Sequence, residues 1–114
     1  METKAFITWN DFEKIDIRSG TIIHAEVFKE ARIPAYKITI DFGDLGQRKT
    51  SAQVTDRYQP EDLIGKQVVA VVNFPPKQIA NFMSECLLLG TIGDQKVITL
   101  LSPDQSVDNG LPIG

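Results

Sequence analysis

Few side chains in this sequence could make or break bonds. There is one cysteine, Cys86, and one histidine, His24. Cys86 opens the apolar run Leu87-Leu88-Leu89, which suits a buried, inert thiol, because free cysteine packs as a small hydrophobe. His24 falls between Ile22 and Glu26 on a strand-like stretch, on the polar face. The two do not form a cysteine–histidine nucleophile on any local spacing. One cysteine allows no internal disulfide and no cysteine-based zinc site, and one histidine allows no histidine-rich metal site. The carboxylates are scattered. Glu85 stands out, beside Ser84 and close to Lys77, as either a cap for backbone N–H groups of the loop at residues 73–84 or a ligand contact. A lone carboxylate without a partner acid, metal or nucleophile is a weak basis for catalysis. Asp41-Phe42-Gly43 matches three letters of a kinase signature in a chain far too short for a kinase, and reads as a strand end entering a turn. These residues point to a binding protein with no cofactor and no metal.

Binding surfaces are easier to place. Twelve basic and fifteen acidic residues give a formal charge of −3, so a polybasic coat is excluded and an anionic partner must meet a local patch. Residues 29–77 hold eight basic and six acidic groups, whereas both flanking segments are net acidic. Lys37, Arg48 and Lys49 fall on two strands joined by a turn, where cations would face phosphates. Exposed aromatics able to stack on bases are scarce: Tyr36, Tyr58, Phe74 and Phe82 are the candidates, with Tyr36 expected inward.

The elements that must carry these groups are short. At 114 residues the chain is one domain with one modest core. Thr8 is a candidate N-cap for a short helix through Lys14, with Asp11 three residues on and Ile7 and Phe12 as a staple. From Ile15 the period becomes two. Ile15, Ile17, Ser19, Thr21, Ile23, Ala25 and Val27 are expected to face the core, with a bulge at Gly20. Tyr36, Ile38, Ile40 and Phe42 form the inward face of a second strand, residues 43–46 a hairpin loop, and residues 48–54 a third strand. Residues 55–65 form an insert with one helical turn that has Pro60 near its start. Residues 67–72 are apolar on both faces and form the central strand. Residues 73–84 are read as irregular, 85–91 and 96–101 as strands, and 102–114 as loop. The result is all-β: a five-stranded OB-type barrel with a short N-terminal helix and a helical insert between strands 3 and 4. An SH3-like barrel or a small sandwich remains open on pattern alone.

No apolar stretch approaches the ~20 residues of a membrane span, and the N-terminus lacks the pattern of a secretory signal. A reducing cytoplasm is the expected compartment.

Several blocks carry a family resemblance as an ordered set. They are Asp16-Ile17-Arg18-Ser19-Gly20, Ile33-Pro34-Ala35-Tyr36-Lys37, Ser51-Ala52-Gln53, Leu63-Ile64-Gly65-Lys66, Asn73-Phe74-Pro75-Pro76-Lys77-Gln78-Ile79 and Ser84-Glu85-Cys86-Leu87. Together they resemble the tRNA-binding-domain family, and the proline-rich block is similar to its stand-alone export-chaperone branch, CsaA. The resemblance implies an OB fold over residues 1–114, a homodimer, no enzymatic activity, and two ligand classes: tRNA and unfolded preprotein segments. It implies tRNA contacts at Ser51, Asn73, Lys77, Ser84 and Glu85, to which the charge pattern adds Lys37 and Lys49. General tRNA-binding members usually carry Ser-Glu-Gly-Met and Asn-Leu-Lys-Pro at the last two blocks, so the present residues are more apolar. Phe74, Pro75, Pro76, Phe82 and Met83 would then make a peptide-binding lip. The alternative is a dedicated tRNA-binding module without chaperone activity. Phe6, Ile7, Trp9 and Phe12 at one end, and Leu111 and Ile113 at the other, are too apolar for free ends and are expected at a two-fold interface.

Overall fold

The computed structural model describes residues 2–114. The first helix, α1 (Trp9–Glu13), begins as expected: the Asp11 N–H donates to Thr8 Oγ1 and the Thr8 N–H to Asp11 Oδ2, a reciprocal capping box. Three long strands follow as a meander: β1 (Ile17–Val27), β2 (Tyr36–Asp41) and β3 (Gln47–Ala52). The insert contains α2 (Pro60–Leu63), a single turn with Pro60 at its first position and Leu63 buried in the core. The chain then re-enters the sheet as β4 (Gln67–Val71) and β7 (Leu87–Leu88), giving the antiparallel order β3-β2-β1-β4-β7. Between them lies a hairpin, β5 (Lys77–Ile79) and β6 (Phe82–Ser84). A second hairpin, β8 (Gly90–Ile92) and β9 (Ile98–Leu100), follows.

The sheet curls into a nearly closed barrel around Ile22, Ile38, Ile40, Phe42, Leu63, Val68 and Ala70. Tyr36, Ile38, Ile40 and Phe42 face inward, as their alternation requires. β4 is buried along most of its length, which explains why its sequence is apolar on both faces. Two tyrosines join the insert to the second hairpin: Tyr36 donates to the Tyr58 carbonyl at 2.7 Å, and the Leu100 N–H donates to the Tyr58 hydroxyl at 3.0 Å.

β1 departs from the expected faces. The bulge falls at Ile23, between Ile22 and His24, and not at Gly20. Ile22 is therefore buried, and Ile23 and Val27 are exposed. Phe28, on the opposite alternation from the residues expected inward, is buried. Gly20 has a different task. A Cβ there would lie 2.6 Å from Ile40 Cγ2 and 2.9 Å from the Phe42 ring, so its lack of a side chain lets β1 cross directly over the core. The other face of β1's first half is polar because the tail docks on it. The Ser19 N–H donates to the Leu111 carbonyl, the Ile113 N–H to the Ile17 carbonyl, and Ser19 Oγ to the Asp108 carbonyl. The tail is loop-like but tethered.

Residues 73–84 are also more ordered than an irregular segment. Lys77 pairs with Ser84 and Ile79 with Phe82 across a turn in which Ala80 takes φ 51°. The alternation was hidden because three-residue strands are shorter than the window over which a period of two can be read.

Candidate functional site

The site forms where the barrel has to close. β3 is bonded to β2 on one side only, so on its other side the backbone groups of Lys49 and Ser51 point outward. The segment after β6 supplies substitutes for a neighbouring strand. The Lys49 N–H donates to Glu85 Oε1 at 2.9 Å, and the Glu85 N–H returns a bond to the Lys49 carbonyl at 2.7 Å. The Ser51 N–H donates to Ser84 Oγ at 3.3 Å, and the buried Thr50 hydroxyl donates to the Cys86 carbonyl at 2.8 Å. Ser84 and Glu85 thus seal one end of the seam, and the Glu85 carboxylate caps a backbone N–H of β3, not one of the 73–84 loop.

Past Ser51 the seam separates, and two concave surfaces share Ser51 and Gln53 as a common wall. On one side is a cleft of about 600 Å³ of mixed lining, with Glu30, Arg32, Lys77 and Gln78 beside Ile33 and Ala80 among others. On the other is an apolar slot of about 560 Å³ between Ala52 at the end of β3, Val54 just beyond it, and Leu87, Leu88 and Leu89, with Ile92, Lys96 and Ile98 from the β8–β9 hairpin.

Of the anion-binding candidates, Ser51 and Lys77 meet in the cleft, with Lys49 on the adjoining strand edge. Lys37 is committed elsewhere. Its ammonium lies over the Phe28 and Phe82 rings, 5.1 and 5.6 Å from their centroids, and 3.9 Å from Glu30 Oε1. Asn73 belongs to another region, where it accepts from the Asp16 N–H and donates to the Lys14 carbonyl, fixing the turn from α1 into β1. Sequence reasoning missed Arg32, Gln53 and Gln78 in the cleft and Leu87, Ile92 and Lys96 in the slot. Arg32 lies in a loop without periodicity, so no local pattern marked it.

The expected apolar lip is only partly assembled. Phe74, Pro75, Pro76 and Met83 are exposed, but none lines the cleft or the slot. Phe82 is turned onto Phe28 in an edge-to-face contact at 5.4 Å, where it anchors the β5–β6 hairpin.

Cys86 is buried beneath the seam. Burial raises its thiol to about 11 from an ordinary 9.0. Between pH 9 and pH 11 the folded chain keeps this proton while the unfolded chain loses it, so stability falls as pH rises through that window, by about 3 kcal/mol in all. Native protein at pH 8 is expected to resist alkylation by iodoacetamide, and denatured protein to react fully. Rapid alkylation of the native state would contradict this assignment.

A five-stranded antiparallel barrel with a helical turn between its third and fourth strands, open along one seam, is an oligonucleotide/oligosaccharide-binding (OB) fold. The chain belongs to the tRNA-binding domain family: residues 17–112 match the family described as "Putative tRNA binding domain". That family is a binding domain and not a catalytic one. Among solved structures, the chain is similar to the chaperone CsaA of Bacillus anthracis, with 53% identity, a TM-score of 0.93, and coverage of 96% of this chain and 100% of that one. It is equally similar in sequence to the CsaA chaperone protein of Picrophilus torridus, with 53% identity, a TM-score of 0.89 and the same coverage. Methionine–tRNA ligase of Methanococcoides burtonii is 34% identical over 107 residues, which are 94% of this chain but 16% of that enzyme. The chain spans about a sixth of the length of such ligases. No helix among the described residues is long and apolar enough to cross a membrane.

Proposed function

We propose that this protein is a non-enzymatic, export-related molecular chaperone of the cytoplasm. It acts as a homodimer that binds unfolded polypeptide segments and also tRNA. The observation that carries this reading is the pair of unlike surfaces built on one strand edge. The cleft at Arg32, Ser51 and Lys77 offers cations and amides to a sugar–phosphate backbone, and the slot beside it offers apolar side chains to polypeptide. The likeness to two CsaA chaperones over their full length supports the chaperone part. The family match supports the tRNA part, and favours as a second reading a tRNA-binding module without peptide activity.

The homodimer is supported by surface that one chain leaves bare. α1 has five residues and buries none, too short to persist without packing. Phe6, Ile7 and Trp9 are exposed, Trp9 at 82%. Phe12 and Ile113 line one shallow groove, because the tethered tail runs beside the helix, with Leu111 next along the tail. A two-fold contact would cover Phe6, Ile7 and Trp9 together with the groove at Phe12 and Ile113 and the neighbouring Leu111.

Titration with bulk tRNA at two salt concentrations tests the nucleic-acid part. Contacts to about three phosphates predict an affinity roughly 40-fold weaker at 200 mM than at 50 mM salt. Suppression of aggregation of a chemically denatured client, measured by light scattering, tests the chaperone part, and sedimentation tests the dimer. Salt-independent tRNA binding would remove the cleft from the account, and unchanged client aggregation would leave only the second reading.

A further inference from the structure

Lys37 holds a charge that the cleft does not use directly. Alternation on β2 turns it outward between the buried Tyr36 and Ile38, yet it is not one of the residues lining the cleft. Its side chain is only 26% exposed, low for a lysine that has a free phosphate to meet.

What Lys37 touches belongs to both walls of the cleft. One wall is the loop after β1, which carries Glu30, Arg32 and Ile33. Phe28 is the root of that loop, since its N–H donates to the Ala35 carbonyl at 3.0 Å and closes the base. The other wall is β5 and its turn, which carry Lys77, Gln78 and Ala80. Ile79 of β5 is in register with Phe82 of β6, so Phe82 sets where that wall stands. The Lys37 ammonium lies over both roots, 5.1 Å from the Phe28 ring centroid and 5.6 Å from that of Phe82. A cation shared by the faces of two rings draws them to one point. It reinforces an edge-to-face contact that the rings already make at 5.4 Å.

Charge gives a second reason. Glu30 is the only carboxylate lining the cleft among the described residues, beside the cations Arg32 and Lys77. Left unopposed, it would repel phosphate and compete for Arg32. Lys37 Nζ lies 3.9 Å from Glu30 Oε1, and no other cation among the described residues lies within 4.0 Å of that carboxylate.

Resting on the tRNA-binding reading above, we propose that Lys37 is a positioning residue for the cleft and meets no phosphate itself. Its ammonium holds the Arg32 loop and the Lys77 hairpin at one spacing. It also offsets Glu30, so that Arg32 and Lys77 face a sugar–phosphate backbone without a competing anion.

The test is electrophoretic mobility shift of the full chain with bulk tRNA across a range of salt. Lys37→Met keeps an unbranched apolar stem and removes the ammonium. Its affinity is expected to be about fivefold weaker, with an unchanged slope against the logarithm of salt concentration, because no phosphate partner is lost. A lysine in direct contact with phosphate would instead lower that slope by about one. Lys37→Arg keeps a cation over both rings and should bind within about twofold of the wild type. Glu30→Gln leaves the rings untouched and is expected to restore about twofold in the Lys37→Met background while changing little in the wild type. Were Lys37 a phosphate contact restrained by Glu30, the gain would appear in the wild type and vanish in Lys37→Met. Amides of residues 77–84 should exchange hydrogen faster in Lys37→Met, with those of β1 and β4 unchanged. Unchanged affinity in Lys37→Met, or a reduced slope, overturns the proposal while tRNA binding stands. If the wild type binds no tRNA at low salt, the tRNA-binding reading fails and the proposal fails with it.

Discussion

Gly20→Val is expected to destabilise the fold by about 3 kcal/mol or more. The first carbon of any side chain at this position would sit 2.6 Å from Ile40 Cγ2 and 2.9 Å from two Phe42 ring atoms. Ile40 and Phe42 are fully buried, so neither has anywhere to move. Overpacking of this kind costs about 1–3 kcal/mol for modest insertions, and a branched side chain against β1's crossing lies at or above the upper end. A domain of this size has about 5–15 kcal/mol to lose. The denaturant midpoint should fall sharply, or native circular dichroism should be absent on expression. Gly93→Ala is the control: its nearest neighbour would be the Val97 carbonyl at 3.4 Å, an ordinary contact, and its effect should be slight. Near-wild-type stability of Gly20→Val would mean that β1 does not cross the core as described.

The double variant Arg32→Glu with Lys77→Glu is expected to weaken tRNA binding about 100-fold at physiological salt, since each change removes a phosphate partner and adds a repulsive charge. Both side chains line the cleft and neither takes part in an ion pair among the described residues, so the fold should be untouched. Peptide binding should be retained, because the slot's own cation is Lys96. Electrophoretic mobility shift with bulk tRNA reads the first effect and peptide anisotropy the second. Equal loss of both ligands would show that cleft and slot are not separable, and unchanged tRNA affinity would move the nucleic-acid surface elsewhere. Lys37→Glu is a poorer probe, since it would also remove a cation from two aromatic rings.

The contrast between Lys37 and Arg32 shows what a linear reading can and cannot do. Lys37 was legible as a cation on a strand, but the rings that engage it come from Phe28 and Phe82, on elements that only the fold brings together. Arg32 had no strand to place it, and became visible only when the loop was seen facing the β5–β6 hairpin. Ser84 and Glu85 were found as a pair, yet their work is done on Ser51 and Lys49, more than thirty positions earlier. Phe82 packs on Phe28, an aromatic partner that no local pattern announces.

By itself the amino-acid order determined whatever depends on near neighbours. The Thr8–Asp11 cap, the inward face of β2, the doubly apolar β4 and Pro60 at the start of α2 all follow from sterics and periodicity within a few residues. The tertiary structure decided the position of the β1 bulge, the duty of Gly20, the tethering of the tail and the open seam. Each of these depends on segments distant in sequence packing against one another. Closing a barrel is a constraint on all strands at once, and where β3 and β7 fail to meet no single stretch of sequence records it.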